Sequence, residues 1–190
     1  MQLSVSPRLG LDMGTGKTAL WAGQRIAWNE PTLLIVESGH GKVLHSGAKA
    51  AERAGRTKQG TEILRPVRRG AIADYAAAVF LLRKVVSQAM RMRLLKPVIF
   101  AAAPIQLSSV ESRALRDAAK DAGAGGIFIV PCNLASLWDA HDKPDEPSGT
   151  LIVDIGAGVT DISVIASNQI ITGRTVKLGG DDITELARRV

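Results

Sequence analysis

Cysteine occurs once in the 190 residues, at Cys132. An internal disulfide framework and a multi-cysteine zinc site are therefore excluded, and a reducing cytoplasm is the favoured compartment. Aromatic residues make up only 4% of the chain. That scarcity weighs against nucleic acid as a partner, because single-strand binders interleave stacking rings with their basic residues. The formal charge of +6 then points to another anion, either an acidic membrane surface or a phosphorylated ligand. No run of about 18 apolar residues occurs, and the first ten residues, which include Pro7 and Arg8, hold no continuous apolar segment. Neither a membrane span nor an export signal is expected. The histidines His40, His45 and His141 are scattered, without acidic or cysteine neighbours at ligand spacing, so no transition-metal site is expected.

A hydrophobic content of 46% suffices for the core of one large domain or two small ones. Residues 9–12 are a short apolar run ending in Asp12, followed by a turn of small residues at 13–17 and a second strand at 18–22. Strands are expected at 32–36 and 43–46 around Gly39-His40-Gly41, then a helix over 48–54 and a basic loop over 56–60. Val79, Leu82, Val86 and Met90 recur at three- and four-residue steps, which predicts a long amphipathic helix from Tyr75 to about Met92. A buried strand at 97–103 is stopped by Pro104, and Ser108 with Glu111 forms a capping box for a helix running to Ala122. A strand at 127–130 and a short helix at 134–140 follow. The polar stretch 141–148 is the one convincing boundary, beyond which strands are expected at 150–154, 161–166 and 169–172 and a helix at 181–190.

One internal echo carries the chemistry. Leu11-Asp12-Met13-Gly14-Thr15-Gly16 and Val153-Asp154-Ile155-Gly156-Ala157-Gly158 share the plan apolar, Asp, apolar, Gly, small, Gly, each on a strand entering a hairpin. Turns of glycine and small residues let main-chain N–H groups approach a phosphate, and an Asp at the strand end can serve a hydrated Mg²⁺. A single such loop reads equally well as a β-turn beside a structural Asp; two at matching positions point to a polyphosphate gripped from both sides. Gly16-Lys17-Thr18 also imitates the end of a Walker A loop, but its first glycine would have to fall at Leu11, and Thr18 leads into a strand rather than a helix.

Paired phosphate hairpins resemble those of the actin, sugar-kinase and heat-shock chaperone superfamily, and further segments resemble its MreB/Mbl branch. These are Arg56-Thr57, Ile63-Leu64-Arg65-Pro66, Gly70-Ala71-Ile72-Ala73-Asp74, Lys96-Pro97, Pro104 with Val110-Glu111-Ser112-Arg113-Ala114, and Gly179-Gly180-Asp181. The resemblance spans 9–190. It implies an α/β, actin-like ATPase fold of the ribonuclease H-like type, with subdomain IA at 1–30 and 67–148, IB at 31–66, and a partial IIA at 149–190, after whose beginning the chain stops. It further implies weak binding of ATP and Mg²⁺ by Asp12, Gly14, Thr15, Gly16 and Lys17 on one side and Asp154, Gly156, Ala157, Gly158, Val159 and Thr160 on the other, Asp12 and Asp154 serving the metal.

Three departures qualify the activity, one being that the family's second half, with its adenosine contacts and one wall of the cleft, is missing, so that affinity for ATP is expected to be weak or absent. The family's loop ends in Ala-Asn-Thr, where Gly16-Lys17-Thr18 stands here. Its water-positioning Glu, in a Glu-Pro-Met-Ala-Ala run, is matched by Cys132 in Cys132-Asn133-Leu134-Ala135-Ser136. A thiol cannot do a carboxylate's work, and losing a positioned base costs about 10² to 10⁴ in rate, so negligible ATPase is expected and Cys132 reads as a small packing residue. The implied role is cytoskeletal, in cell shape or cell-wall organisation, through association with itself or with a full-length actin-like protein. Apolar strand faces near Ile152, Ile162, Val164 and Ile170 and an unpaired sheet edge would carry that association. The alternatives are an active ATPase completed by a second chain and a decayed product without function. Leu94 and Leu95, flanked by Arg91, Arg93 and Lys96, read either as a peripheral contact with the inner face of the plasma membrane or as a helix end with two core leucines. Arg65, Arg68 and Arg69 read as a solvated face.

Overall fold

The computed structural model describes residues 6–56, 58–90, 95–140 and 147–189. Its centre is a five-stranded sheet built around β1 (Arg8–Met13). On one side β1 runs antiparallel to β2 (Lys17–Ala22), which pairs with β3 (Arg25–Pro31). On the other side it is parallel to β9 (Val98–Ala103), which pairs in parallel with β10 (Gly126–Pro131). Helices α2 (Tyr75–Ala89) and α3 (Ser109–Asp121) supply the crossovers and cover one face, burying Leu9, Leu11, Leu20, Trp28 and Ile99 against Leu81, Leu82 and Val85. Between β3 and α2 lie a small sheet of β4 (Leu34–Glu37), β5 (Val43–Ser46) and β6 (Thr61–Leu64), the short helix α1 (Ala48–Arg53), and a ribbon of β7 (Val67–Arg68) and β8 (Ala71–Ile72). Leu33, Ile35 and Ala50 form the satellite core of that small unit.

The remaining elements begin a second version of the same plan. Helix α4 (Cys132–Ala140) leads to the meander β11 (Thr150–Ile155), β12 (Thr160–Ala166) and β13 (Gln169–Val176), closed by α5 (Gly180–Ala187). Leu11 pairs with Leu20 in the first meander, and Val153 with Ile162 in the second. The equivalent positions differ in cover. Leu9, Leu11 and Leu20 are 2%, 2% and 0% exposed beneath α2 and α3, whereas Leu151, Val153 and Ile162 are 64%, 50% and 39% exposed.

Several expectations are corrected. Strand β3 escaped the sequence reading because among its side chains only Trp28 is buried, and its polar Arg25, Asn29 and Glu30 hide the alternation. The short β6, β7 and β8 were also missed. Helix α2 ends at Ala89, where Met90 turns extended as the C-cap, rather than at Met92; Arg91, Arg93 and Leu94 lie outside the described residues. The exposed face of the second meander holds Leu151, Val153, Ile155 and Ile162. Ile152 lies opposite Ser163, and Ile170 opposite the buried Ile165, on the other face, which α4 covers. A slip of one residue in a strand exchanges faces, and that is the size of the error.

The capping box is present: the Ser108 hydroxyl accepts from the Glu111 N–H, and Glu111 Oε2 accepts from the Ser108 N–H at 2.9 Å. Its other oxygen accepts from Lys177 Nζ at 2.9 Å, tying α3 to the end of β13. The Lys177 bond first, then the Ser108 bonds, push the Glu111 pKa down from 4.5 to about 2. A carboxylate whose pKa is lowered on folding contributes stability that is complete above its unfolded value and lost as pH falls through its folded one. Stability followed by chemical denaturation should therefore decline between pH 4.5 and about 2, and Glu111→Gln should flatten that part of the profile. An unchanged profile in the variant would show the tie to be idle.

Candidate functional site

The two repeated hairpins are built alike. The Gly14 N–H donates to the Lys17 carbonyl at 2.9 Å, and the Gly156 N–H donates to the Val159 carbonyl at the same distance. They face each other and touch. A Cβ on Gly16 would lie 2.9 Å from Ala157 Cβ, and one on Gly158 only 2.6 Å from Thr15 Oγ1. Glycine is required at Gly158 because the approach leaves no room for a side chain.

A third element props this contact. Ribbon β7–β8 turns through Arg69 and Gly70, both at positive φ (48° and 74°), as two-residue hairpins require. The Gly70 N–H donates to Thr15 Oγ1 at 3.1 Å. From the other direction, the first turn of α5 donates from Gly180 and Asp181 to the carbonyls of Gly156 and Ala157.

Between the hairpins lies a cleft of about 250 Å³. Asp12, Gly14, Thr15, Gly16, Lys17, Asp154, Gly156, Ala157, Gly158 and Val159 all line it. Thr160 is not in that lining; its hydroxyl donates to the Leu178 carbonyl. Burial raises the Asp12 pKa, Lys17 pulls it down, and the Asp154 charge adds to the rise. Asp154 in turn sits directly across the ladder from Asp161. Two hard carboxylates aimed at one cleft suit Mg²⁺, which keeps most of its water and takes few protein ligands.

Two buried polar residues near the cleft were not singled out from the sequence. Asp161 is 1% exposed and both its oxygens have partners: Oδ1 accepts from the Ile105 N–H and the Thr175 hydroxyl, and Oδ2 from the Cys132 thiol at 3.2 Å. Asn133, wholly buried, donates through Nδ2 to Ser163 Oγ at 2.9 Å and to the carbonyls of Ile152 and Asp161. The readable signal was the polar pair Asp161 and Ser163 at alternate positions of an apolar strand, facing where a core residue belongs. Burial, then the charges of Asp161 and Asp154, push the Cys132 pKa far up, so the thiol stays protonated and is no nucleophile.

A family model described as MreB/Mbl protein matches residues 6–188. The chain belongs to the MreB/Mbl family. It is similar to the cell shape-determining protein Mbl of Bacillus cereus, 32% identical over 175 residues that make up 91% of this chain and 53% of that protein. It is likewise similar to the cell shape-determining protein MreB of Escherichia coli, 30% identical over 184 residues, 93% of this chain and 53% of that one. The chain thus spans about half the length of the curated relatives it matches. Among solved structures, MreB5 of Spiroplasma citri bound to AMPPNP superposes with a TM-score of 0.89 at 29% identity, over 98% of this chain and 56% of that one. A MamK double helical filament superposes with a TM-score of 0.77 at 20% identity, over 96% of this chain and 58% of that one, and supports the fold alone. The architecture is accordingly the mixed α/β, actin-like fold expected from the sequence.

The hairpin contact in this MreB/Mbl-family chain is open to a direct check. Gly158→Ala should destabilise by about 1–3 kcal/mol through overpacking against Thr15. Combining it with Thr15→Ala should recover part of that loss in urea unfolding. Strict additivity of the two changes would mean that the hairpins do not touch.

Proposed function

We propose that the chain is an MreB-type cytoskeletal module that takes part in cell shape or cell-wall organisation. It binds ATP weakly with Mg²⁺, does not turn it over appreciably, and acts by associating with itself or with a full-length actin-like protein. The observation that carries the nucleotide reading is the closure of two similarly built turns, each preceded by an Asp, on one cleft. Its support from similarity is that the Spiroplasma citri protein has been seen with AMPPNP and with ADP. In this reading the hairpin N–H groups face the polyphosphate, while Asp12 and Asp154 hold the hydrated Mg²⁺ that screens its charge. Weakness follows from size: about 250 Å³ is below the 300–1,000 Å³ usual for pockets that enclose a whole small ligand, so the polyphosphate is held and the rest is not enclosed.

Slow turnover follows from the groups beside the phosphate position. The Cys132 thiol keeps its proton, and Asp161, the carboxylate beside it, accepts from protein donors on both oxygens. Titrating the 190-residue chain with ATP and Mg²⁺ by calorimetry should give a dissociation constant in the high micromolar range or above, and phosphate release should stay at background. Absence of any heat refutes the binding; phosphate release at the rate of a full-length MreB refutes the inactivity.

Association is supported by an asymmetry of the second meander. Strand β13 has its outer edge occupied: the Gln106 side chain accepts from the Thr175 N–H and donates to the Gly173 carbonyl. Strand β11, Thr-Leu-Ile-Val-Asp-Ile without proline, lysine or a bulge, is an edge of its sheet and carries the exposed Leu151, Val153 and Ile155. Such an edge is a template for strand addition. Wild type should show concentration-dependent oligomers in sedimentation velocity, and Leu151→Lys with Val153→Lys should abolish them. A strictly monomeric wild type at high micromolar concentration, unaltered by a full-length homologue, would sink the association. In this reading the chain works in the cytoplasm; no described helix is long and apolar enough to cross a membrane. Contact with the inner membrane face rests on the exposed Leu95 beside the exposed Lys96, Leu94 lying outside the described residues.

A further inference from the structure

The charge inside the cleft is unbalanced. Its described lining contains the carboxylates Asp12, Asp154, Asp161 and Glu111 and a single basic side chain, Lys17. Glu111 is paired with Lys177, and Asp161 accepts from the Ile105 N–H and from the hydroxyl and thiol of Thr175 and Cys132. The one cation acting on Asp12 among the described residues is Lys17, and Asp154 meets the Cys132 thiol, which carries no positive charge; an incoming polyphosphate would add several more negative charges to the same space. Either a divalent cation or a protein cation must offset them.

Lys17 is placed to do so. Its main chain is fixed twice, by the Gly14 N–H on its carbonyl and by its pairing with Pro31 at the start of β2. It follows Gly16, which touches the opposing hairpin at Ala157. The side chain itself is exposed, so a flexible four-carbon stem carries the ammonium over the mouth of the cleft. A lysine binds phosphate as a point charge with three rotatable donors and needs no fixed fork to do it.

Building on the nucleotide reading above, we infer that Lys17 is a built-in counter-ion that makes polyphosphate binding by this chain partly independent of Mg²⁺. The probes are ATP and inorganic tripolyphosphate, titrated by calorimetry in Mg²⁺ and again in EDTA, into wild type, Lys17→Asn and Lys17→Arg. Removing Mg²⁺ should weaken binding to wild type and to Lys17→Arg by less than about tenfold. In EDTA, Lys17→Asn should bind about ten- to a hundredfold more weakly than wild type, the range for losing one hydrogen bond to a charged group. In Mg²⁺ the gap between them should shrink. Equal loss on Mg²⁺ removal in wild type and Lys17→Asn, with wild type still binding, overturns the role of Lys17 and leaves the nucleotide site standing. No binding of either probe to wild type under both conditions overturns the two together.

Discussion

The contact of Thr15 with Gly158, and of Gly16 with Ala157, is the constraint on which the rest of the molecule turns. It is made of main chain and small side chains, so it is short and stiff, and it sets the distance between Asp12 and Asp154. Everything near it converges to hold it. The β7–β8 turn hydrogen-bonds Thr15 from one side, and α5 hangs its first turn on the carbonyls of the second hairpin from the other. Close approach of two backbones is possible only where no Cβ intervenes, which is why the glycines recur at the same places in both repeats.

A second layer of polar bonds joins the halves behind that contact. Helix α4 starts at Cys132, at the very end of β10, and reaches under the second meander through Asn133. The cross-strand pair Asp154 and Asp161 would repel if both were bare. Asp161 is instead wrapped by donors from the loop after β9, from β13 and from the Cys132 thiol. At the position that the resemblance matches to a water-positioning Glu, this chain has a thiol that donates to a buried acid. What the structure shows at that position is one more bond across the halves, from the Cys132 thiol to Asp161.

What could be read from the sequence was whatever is encoded in short, local pattern. The paired hairpins were legible because a turn over a phosphate needs glycine at fixed offsets from a strand-ending Asp, and both Leu11-to-Gly16 and Val153-to-Gly158 obey it. The capping box of α3 and the amphipathic stripe of α2 were legible for the same reason. Strand β3 was not, because an edge strand with one buried side chain has little alternation to show. Asp161 and Asn133 were not, because their roles depend on partners far along the chain, Ile105, Thr175 and Ile152. The exposed face of β11 was misread by one residue, since period-2 patterning fails to mark a face when both faces of a strand are apolar.

That last point has a physical consequence. In β1 the residues flanking Asp12 go into the core beneath α2 and α3, while Asp12 itself turns to the cleft. In β11 the same alternation sends Asp154 to the cleft and Val153 and Ile155 out to the surface. Burying one such side chain contributes about 1.5–3 kcal/mol, so a partner covering Leu151, Val153, Ile155 and Ile162 has a substantial driving force. Because successive residues of one strand serve the two faces, any partner that straightens or twists β11 also moves the Asp154 carboxylate. In the proposed reading the six residues of one strand serve both faces, so coupling between an outer partner and the cleft needs only that the partner favour one position of Asp154 over another.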